Sequence, residues 1–229
     1  MLTSNIRDVA GLPTADGHRT RAGVLLRGDA PFADDAPPGL DWPPRAVVDL
    51  RTVEELDHPH PLTASGVVVH HLPLTDALAP DAVARGEAGE LRIEELYVLL
   101  ADGAAAWLPH ILEVLVDGPW PVLVHCAAGK DRTGVALAVL LRLAGVTRAA
   151  VEADFSRTNA RRGVLRDRLV RRGALGPEAG RDGVGVEAAD LVPVLDRLDG
   201  DGAQRLAHAA GVEDAVIARW QGVLLTPSE

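Results

Sequence analysis

Residues 125–134 read His-Cys-Ala-Ala-Gly-Lys-Asp-Arg-Thr-Gly and contain the only cysteine of this 229-residue chain. Five residues separate Cys126 from Arg132. An apolar run, 121–124, precedes this stretch, and an apolar, helix-like run begins at Thr133. The pattern predicts a buried strand, a short loop and a helix N-terminus, as at the edge of an open α/β sheet. A thiol in such a loop, closed by an arginine, indicates a site that binds a phosphate and attacks it.

The loop contains the groups that phosphoryl transfer requires. A transferring phosphoryl group carries charge on three equatorial oxygens, so catalysis depends on placement and charge neutralisation. Backbone N–H groups between Cys126 and Arg132 can turn inward as an anion-binding nest, and the following helix adds the positive end of its dipole. The Arg132 guanidinium can donate two parallel hydrogen bonds to a phosphate. The predicted phosphate-binding residues are Ala127, Ala128, Gly129, Lys130, Asp131, Arg132 and Thr133.

The same positive surroundings favour the thiolate form of Cys126, which would form a cysteinyl-phosphate that water later hydrolyses. We expect the Thr133 hydroxyl to hydrogen-bond the sulfur and support its departure in the second step. We expect His125 to orient the loop by hydrogen bonding rather than to act as a base. No second His or Cys lies at metal-ligand spacing from His125, so no metal and no other cofactor is predicted.

The leaving oxygen needs a proton from a general acid. Asp131 is the first candidate because it lies on the loop beside Arg132. Asp76 is the second, because it follows a strand-like segment whose carboxyl end should face the same site. Both positions also have a purely structural interpretation, since an aspartate at either one can cap a helix. The residues alone leave the choice open.

The ten-residue loop resembles the signature HCxxGxxR[ST]G of the cysteine-dependent protein tyrosine phosphatases. More narrowly, it resembles the HCxxGKDRTG loop of a bacterial group that acts on phosphotyrosine, often on phosphoinositides and sometimes on phosphoserine and phosphothreonine. Gly28 stands where that group commonly has serine. Flanking segments that resemble the group occur in its order over nearly the whole chain: 5–11, 48–55, 71–76, 154–159 and 221–225.

The resemblance implies a role for each loop residue. Cys126 would be the nucleophile, Arg132 and the loop backbone the phosphate ligands, Asp131 the general acid and Lys130 a substrate contact. The chain lacks the Trp-Pro-Asp acid loop of the eukaryotic members, so Asp76 stays a candidate acid. The implied fold is α/β, a central, mostly parallel sheet flanked by helices, with a helical C-terminal section.

Composition restricts the functional classes. The length fits one large domain or one domain with an appendage, and the resemblance implies a single phosphatase domain over 1–229. Hydrophobic residues make up 47% and aromatic residues 3%, which predicts a core of Val, Leu and Ala, and a net charge of −10 argues against nucleic acid as a partner. One reactive cysteine favours a reducing compartment. No signal-like N-terminus and no apolar run of membrane-spanning length occur, so we expect a cytoplasmic protein without a membrane span. Export without such a signal, as in some relatives, stays an alternative.

Apolar runs rich in β-branched residues favour strands in a sheet covered on both faces, at 24–27, 46–50, 67–74 and 122–125. Helical patterns cover 92–101, 104–117 and 133–144, and then 148–225 almost throughout, with a loop near 173–185. The segment 76–103 has two interpretations, a mobile lid over the phosphate site or an ordinary surface loop.

Residues 157–172 contain seven arginines and a single acid, Asp167. One interpretation is a helix face paired to acids elsewhere in the chain. The other is a patch that draws anionic lipid head groups or phosphopeptides to the site, with peripheral membrane contact through Arg157–Arg172.

We therefore expect a phosphatase that hydrolyses phosphotyrosine, and also phosphoserine, phosphothreonine or phosphoinositides, on phosphorylated proteins or phosphoinositide lipids. Two other classes remain to be weighed. A rhodanese-like sulfurtransferase also uses a loop cysteine, but its loop is shorter and lacks the Gly-Lys-Asp-Arg-Thr-Gly tail. A phosphate-binding adaptor without turnover is disfavoured because Cys126, Arg132 and Thr133 are all intact.

Overall fold

A five-stranded sheet lies at the centre of the fold. The computed structural model describes residues 4–56, 59–77, 88–178, 180 and 184–226, and for residues 76 and 77 it describes the backbone alone. The strands in chain order are β1 (Arg7–Asp8), β2 (Arg19–Thr20), β3 (Leu25–Asp29), β4 (Ala46–Asp49), β5 (Val68–His71), β6 (Val122–Cys126) and β7 (Leu225–Thr226). The central sheet has the order β1-β3-β6-β4-β5, and β2 pairs with β7 in a separate two-stranded ribbon.

Four strands of the central sheet are parallel, and only β1 runs antiparallel to its neighbour β3. The register aligns Asp29 of β3 with Cys126 of β6, and Asp49 of β4 with His125. The carboxyl ends of β3, β4 and β6 therefore meet at one edge, which is where open α/β sheets place their ligands.

Helices cover the sheet and form the C-terminal part of the chain. They are α1 (Ile93–Asp102), α2 (Leu108–Asp117), α3 (Asp131–Leu143), α4 (Arg148–Ser156), α5 (Arg162–Arg171), α6 (Ala188–Leu198), α7 (Gly202–Ala209) and α8 (Asp214–Leu224). Helix α3 is buried on nearly every side because it contacts the sheet and also α1, α4, α6 and α7. This explains why its sequence is apolar all round rather than on one stripe.

The fold class and the main elements predicted from the sequence are confirmed. Each predicted central strand is present, and its ends differ from the prediction by at most three residues. The buried side chains are mostly Val, Leu and Ala, as the low aromatic content requires. Two of the few aromatic side chains, Trp107 and Trp220, are fully buried, and each donates its indole N–H to a backbone carbonyl.

Two sequence predictions need correction. The sheet is not covered on both faces throughout, because β5 is an edge strand whose His70 and His71 are exposed. The segment 76–103 is not a lid over its whole length, since Tyr97, Leu100 and Ala101 of α1 are buried in the core. Residues 78–87, the centre of the proposed lid, lie outside the described residues.

Gly28 and Gly129 allow β1, β3 and the cysteine loop to approach closely. A Cβ on Gly28 would lie 2.5 Å from Cγ1 of Ile6, and a Cβ on Gly129 would lie 2.2 Å from the carbonyl carbon of Gly28. Gly129 also has a left-handed backbone with φ of 64°. The serine common at position 28 in the resembling group therefore does not fit here unless the N-terminal segment shifts.

Among the described helices, none is by itself long and apolar enough to span a membrane. The pair Ile93–Ala106 and Leu108–Asp117 reaches that length and composition only in combination, across a bend of 67°.

Candidate active site

Cys126 ends strand β6, and its side chain is only 2% exposed. Helix α3 begins at Asp131, two residues earlier than the sequence pattern predicts, so Asp131, Arg132 and Thr133 form its first turn. The loop between strand and helix therefore has only four residues, 127–130. The free N–H groups and the positive end of the α3 dipole lie at this short loop, which makes it a site for an anion.

The backbone of the loop is tied down from outside. Asn5 Nδ2 donates to the carbonyls of Ala128 and Gly129 at 3.3 and 3.4 Å, and Arg27 Nη2 donates to the Gly129 carbonyl at 2.9 Å. In a trans peptide the C=O and the next N–H point in opposite directions. The N–H groups of Gly129 and Lys130 are thus turned away from these donors, toward the interior of the loop.

A third carbonyl of the loop is held in the same way. The backbone N–H of Ala30, just beyond β3, donates to the Ala127 carbonyl at 3.1 Å. This leaves the N–H of Ala128 pointing inward. Three successive peptide units thus form the nest that the sequence predicts.

One buried carboxylate, Asp154 of α4, holds the arginines behind the loop. Arg27 Nη1 lies 2.7 Å and Arg7 Nε 3.0 Å from its oxygens, and Arg7 Nη1 also reaches Asn5 Oδ1 at 2.8 Å. Burial raises the pKa of Asp154, but Arg27 and Arg7 outweigh burial and keep the pKa below its usual value. Two segments that the sequence marks only by their resemblance, 5–11 and 154–159, thus meet behind the cysteine loop.

Arg132 is oriented by Glu55, which the sequence marks only as part of a resembling segment. Nη1 of Arg132 lies 2.5 Å from Oε2 of Glu55, and Nη2 lies 2.7 Å from Oε1. Burial lowers the pKa of Arg132, but Glu55, Cys126 and Asp131 outweigh burial and raise the pKa. Nε of Arg132 donates to no described residue, so the Nε–Nη2 edge of the guanidinium is available to a ligand.

Asp131 accepts a hydrogen bond from a buried tyrosine. The hydroxyl of Tyr97, on α1, donates to Oδ1 of Asp131, and Lys130 Nζ lies 3.6 Å from the same oxygen. The Tyr97 ring is fully buried and packs edge-on against Phe155, with ring centroids 6.2 Å apart. Burial and Asp131 raise the pKa of Tyr97, so the hydroxyl stays a donor. The sequence suggested only a packing role for this residue.

The second candidate acid is placed only by its backbone. Asp76 lies in the short 3₁₀ helix Leu74–Ala77 that follows β5, at the carboxyl end of the sheet. Its side chain lies outside the described part of the chain, so Asp131 is the candidate whose carboxyl group the structure places.

His125 is fully buried, and its hydrogen bonds determine its tautomer. Nδ1 lies 3.1 Å from the Cys126 carbonyl, so it donates, and Nε2 carries no proton. His60 accepts from the Leu62 N–H at Nδ1, and its protonated Nε2 faces Nε2 of His125 at 3.4 Å. Burial lowers the pKa of His125 to about 4 although Asp49 opposes the shift. His125 is therefore neutral and orienting, not a base.

Asp49, His60 and His125 form the one group among the described residues with spacing suited to a metal ion. Asp49, however, accepts from Nε of Arg51 at 3.0 Å and from Nη2 at 2.8 Å. The two histidines face one another through a single proton, as described above. These donors are paired internally, so the group does not fit a metal without rearrangement.

The predicted bond between Thr133 and the cysteine sulfur is not made in this structure. The Thr133 hydroxyl is buried, and no described residue is its hydrogen-bond partner. Such an unsatisfied group costs about 1–3 kcal/mol. The Thr133 hydroxyl is thus a buried group of the site whose hydrogen bond a ligand could supply.

Part of the arginine-rich segment 157–172 is a helix face paired to acids elsewhere in the chain, which is the first of its two interpretations. Buried Arg168 binds both oxygens of Asp35, at 2.7 and 2.6 Å, and also contacts Asp29. The guanidinium groups of Arg168, Arg171 and Arg172 lie 4.1–4.7 Å from the ring centre of Phe32. These arginines anchor the chain after β3 to α5 rather than form a free surface.

The stability of the protein should fall as pH drops from about 6.5 to about 4, because of His125. Its pKa is 6.5 in an ordinary setting and about 4 here, so in this window the unfolded chain binds the proton and the folded chain does not. The contribution of neutral His125 to the free energy of unfolding is complete above pH 6.5. It decreases by about 3 kcal/mol as the pH falls to about 4. Urea unfolding at several pH values measures it.

The matched control is the exposed His208, which pairs with Asp214 on the surface. His125→Gln should flatten the pH dependence over this window, whereas His208→Gln should leave it as in the wild type. An unchanged slope in His125→Gln would assign the dependence to other groups.

Comparison with known proteins agrees with this geometry. The tyrosine phosphatase family matches residues 2–226. The triple specificity protein phosphatase PtpB of Mycobacterium tuberculosis is 30% identical over 270 aligned positions, which cover 96% of this chain and 96% of that protein. A putative tyrosine-protein phosphatase of Cupriavidus necator is 29% identical over 213 positions, covering 84% of this chain and 71% of the other. Because the family match runs from the first strand through the last helix, this chain belongs to the tyrosine phosphatase family and is a hydrolase.

Proposed function

We propose that this enzyme dephosphorylates phosphotyrosine through a cysteinyl-phosphate on Cys126. The observation that carries this proposal is the tethering of the loop carbonyls by Asn5, Arg27 and Ala30, which turns three N–H groups toward the interior of the loop that follows Cys126. A preorganised set of donors stabilises the charge of a phosphoryl group in transfer without reorganising during the reaction.

In the first step the Cys126 thiolate attacks phosphorus, and the bond from phosphorus to the tyrosyl oxygen breaks. The leaving oxygen takes the electron pair of that bond together with a proton from Asp131. In the second step water attacks phosphorus, the phosphorus–sulfur bond breaks, and Asp131 recovers a proton from the water. The products are inorganic phosphate and the regenerated thiolate.

Arg132 and Thr133 support both steps. Glu55 occupies the Nη1–Nη2 end of Arg132, so the Nε–Nη2 edge can donate two parallel hydrogen bonds to the phosphoryl oxygens. The Thr133 hydroxyl has no partner among the described residues, and it would donate to the sulfur or to a phosphoryl oxygen once a substrate occupies the site. Both groups thus act on the charge that develops during transfer.

The hydrogen bond from Tyr97 orients the Asp131 carboxyl group for proton transfer. Since the tyrosine hydroxyl occupies Oδ1, the proton to be transferred belongs on Oδ2. Lys130 lies beside this carboxyl group and is partly exposed, which suits a contact to a second phosphate of the substrate.

We extend the proposed substrates to phosphoserine, phosphothreonine and phosphoinositides on two grounds, the loop resemblance and the triple specificity for which PtpB is named. We propose the cytoplasm as the site of action, because a reducing compartment keeps a reactive thiol free.

Turnover of p-nitrophenyl phosphate should persist in the presence of a chelator, stop with vanadate and vanish in Cys126→Ser. The serine hydroxyl is a far weaker nucleophile than a thiolate, so no phosphoenzyme should form. Steady-state assay and phosphoenzyme trapping measure these outcomes. Tungstate binding by the variant is the control for an intact loop. Turnover retained in Cys126→Ser would contradict the nucleophile, and tungstate binding by wild type without turnover would indicate an adaptor.

Asp131→Asn should lower kcat for an alkyl phosphate roughly 100–10,000-fold and for p-nitrophenyl phosphate much less. An alkoxide needs the proton to leave, whereas nitrophenolate leaves almost without it. Asp167→Asn, an exposed aspartate beside Arg166, is the matched control and should behave as wild type. The same dependence on the leaving group in Asp76→Asn, with none in Asp131→Asn, would assign the acid to Asp76.

A phosphotyrosine peptide, a phosphoserine peptide and phosphoinositide vesicles, assayed side by side, should all be hydrolysed. Lys130→Met should reduce phosphoinositide hydrolysis roughly tenfold more than phosphotyrosine hydrolysis, since one charge-assisted hydrogen bond to the additional phosphate is lost. Hydrolysis of the phosphotyrosine peptide alone would restrict the proposed range. Equal losses on all three substrates would place Lys130 on the transferred phosphate instead.

A further inference from the structure

We propose that this protein has a second anion-binding site, separate from the cysteine loop, that takes a phosphate group. The site is a cavity of about 280 Å³ between the N-terminal segment, the loop 30–44 and the 3₁₀ helix Arg157–Arg161. Its charged lining is Arg7, Asp8, Arg157 and Arg161, and no residue of 125–134 contributes to it.

The first argument is the local balance of charge. Asp154, directly behind the cavity, lies 3.0 Å from Arg7, 2.7 Å from Arg27 and 3.8 Å from Arg157. One carboxylate therefore serves three guanidinium groups, although the chain as a whole carries a net charge of −10. The excess of positive charge here is a local feature that a bound anion would neutralise.

The acid in the lining does not remove this excess. The Asp8 carboxylate already accepts backbone N–H groups, from Ala10 at 2.9 Å and from Gly23 at 2.7 Å. No ion pair within the described residues joins it to an arginine. Counting Arg7, Arg27 and Arg157 against Asp154 and Asp8, three positive charges face two negative ones.

The titration of Arg7 is consistent with this imbalance. Its pKa is lowered to about 10 by burial first and then by Arg27, with a smaller effect of the same sign from Arg157. An anion in the cavity would raise the pKa of Arg7 and so oppose the effect of the neighbouring arginines on it.

The second argument is the chemistry and shape of the cavity. Guanidinium groups bind phosphate oxygens with two parallel hydrogen bonds, which favours phosphate over a carboxylate of one charge. Arg157 is 56% exposed, so a ligand can reach it from solvent. Pro37 and Pro38 add an apolar wall, and the volume exceeds that of a bare phosphate ion. The cavity thus has room for part of the carbon skeleton of a phosphate ester.

The other end of the arginine-rich segment does not share these properties. Arg168 is buried and bound to Asp29 and Asp35, and Arg171 lies 3.6 Å from Asp34, so each of these two arginines is paired with an aspartate. The lipid-binding patch that the sequence suggests over 157–172 is therefore narrowed to its first turn, at Arg157 and Arg161.

The cavity is linked to the catalytic loop through one residue. Arg7 lines the cavity and also donates to Asn5, whose amide holds the carbonyls of Ala128 and Gly129. An anion in this second site would lie next to the residues that keep the loop N–H groups turned inward.

The test is a calorimetric titration of the full chain with inorganic phosphate, with the cysteine loop first saturated with vanadate. The blocked wild type should bind one phosphate per chain, and the unblocked wild type two. Arg157→Gln combined with Arg161→Gln should weaken binding in the blocked chain at least roughly tenfold, because charge-assisted contacts are lost. Neither arginine belongs to the catalytic machinery, so turnover of p-nitrophenyl phosphate reports that the variant is folded.

The matched control removes the same two charges elsewhere. Arg205 and Arg219 are 64% and 60% exposed and pair with surface aspartates. Replacing both with Gln should leave phosphate binding unchanged. Equal weakening in the control and in the cavity variant, or the absence of any phosphate binding to the blocked wild type, would overturn the proposal.

A parallel arm identifies the source of the phosphate. Vesicles of phosphatidylcholine with and without a phosphatidylinositol phosphate are sedimented with the vanadate-blocked chain. Sedimentation that needs the phosphoinositide and is lost in the cavity variant identifies a lipid head group. Phosphate binding without vesicle binding identifies a free phosphate or a soluble ester. If vanadate fails to stop turnover, the proposed catalytic mechanism fails, while the response of phosphate binding to the cavity variant still tests the second site.

Discussion

The outward tethering of three loop carbonyls is the constraint on which the rest of this structure depends. A peptide unit has a donor and an acceptor on opposite sides, so a loop can present N–H groups to an anion only if its carbonyls find donors elsewhere. Asn5 supplies a donor from the segment just before β1, Arg27 from β3, and Ala30 from the residue just after β3. The antiparallel strand β1 has only two residues, and its main structural role is to hold the N-terminal segment against the cysteine loop.

The arginines that perform this tethering need a counter-charge of their own, and Asp154 provides it. A guanidinium at this depth without a partner would carry a large desolvation penalty, and removal of one partner from a buried ion pair costs several kcal/mol. Helix α4 is thus joined to β1 and β3 by electrostatics rather than by apolar packing alone. Arg132, on the open side of the loop, also has a carboxylate as its counter-charge. Glu55 binds one end of the guanidinium and leaves one edge for the substrate.

The sequence predicts the elements and the reactive loop, but not the contacts that make the loop work. The strand predicted at 122–125 is evident because an apolar run rich in β-branched residues favours a buried strand. The bonds from Asn5 to the loop join residues more than a hundred positions apart, and no local pattern encodes them. Tyr97 gave no signal because an aromatic residue on a helix normally packs in the core, and only the fold brings its hydroxyl to Asp131. The exposed face of β5 was missed because an edge strand and a central strand can have the same apolar sequence.

The choice of general acid follows from the way the charges near the loop are paired. Glu55, Asp49 and Asp154 are each bound to arginine, and in all three cases the surrounding side chains outweigh burial and lower the pKa. For Asp49 the pKa falls to about 2, through His125 first and then Arg51. Such carboxylates hold no proton at neutral pH and cannot donate one. Asp131 differs because its hydrogen-bond partner is the neutral hydroxyl of Tyr97, and its contact with Lys130 is a longer 3.6 Å. Of these four carboxyl groups, Asp131 is the one that no arginine binds, and this difference supports the proposal that Asp131 is the general acid.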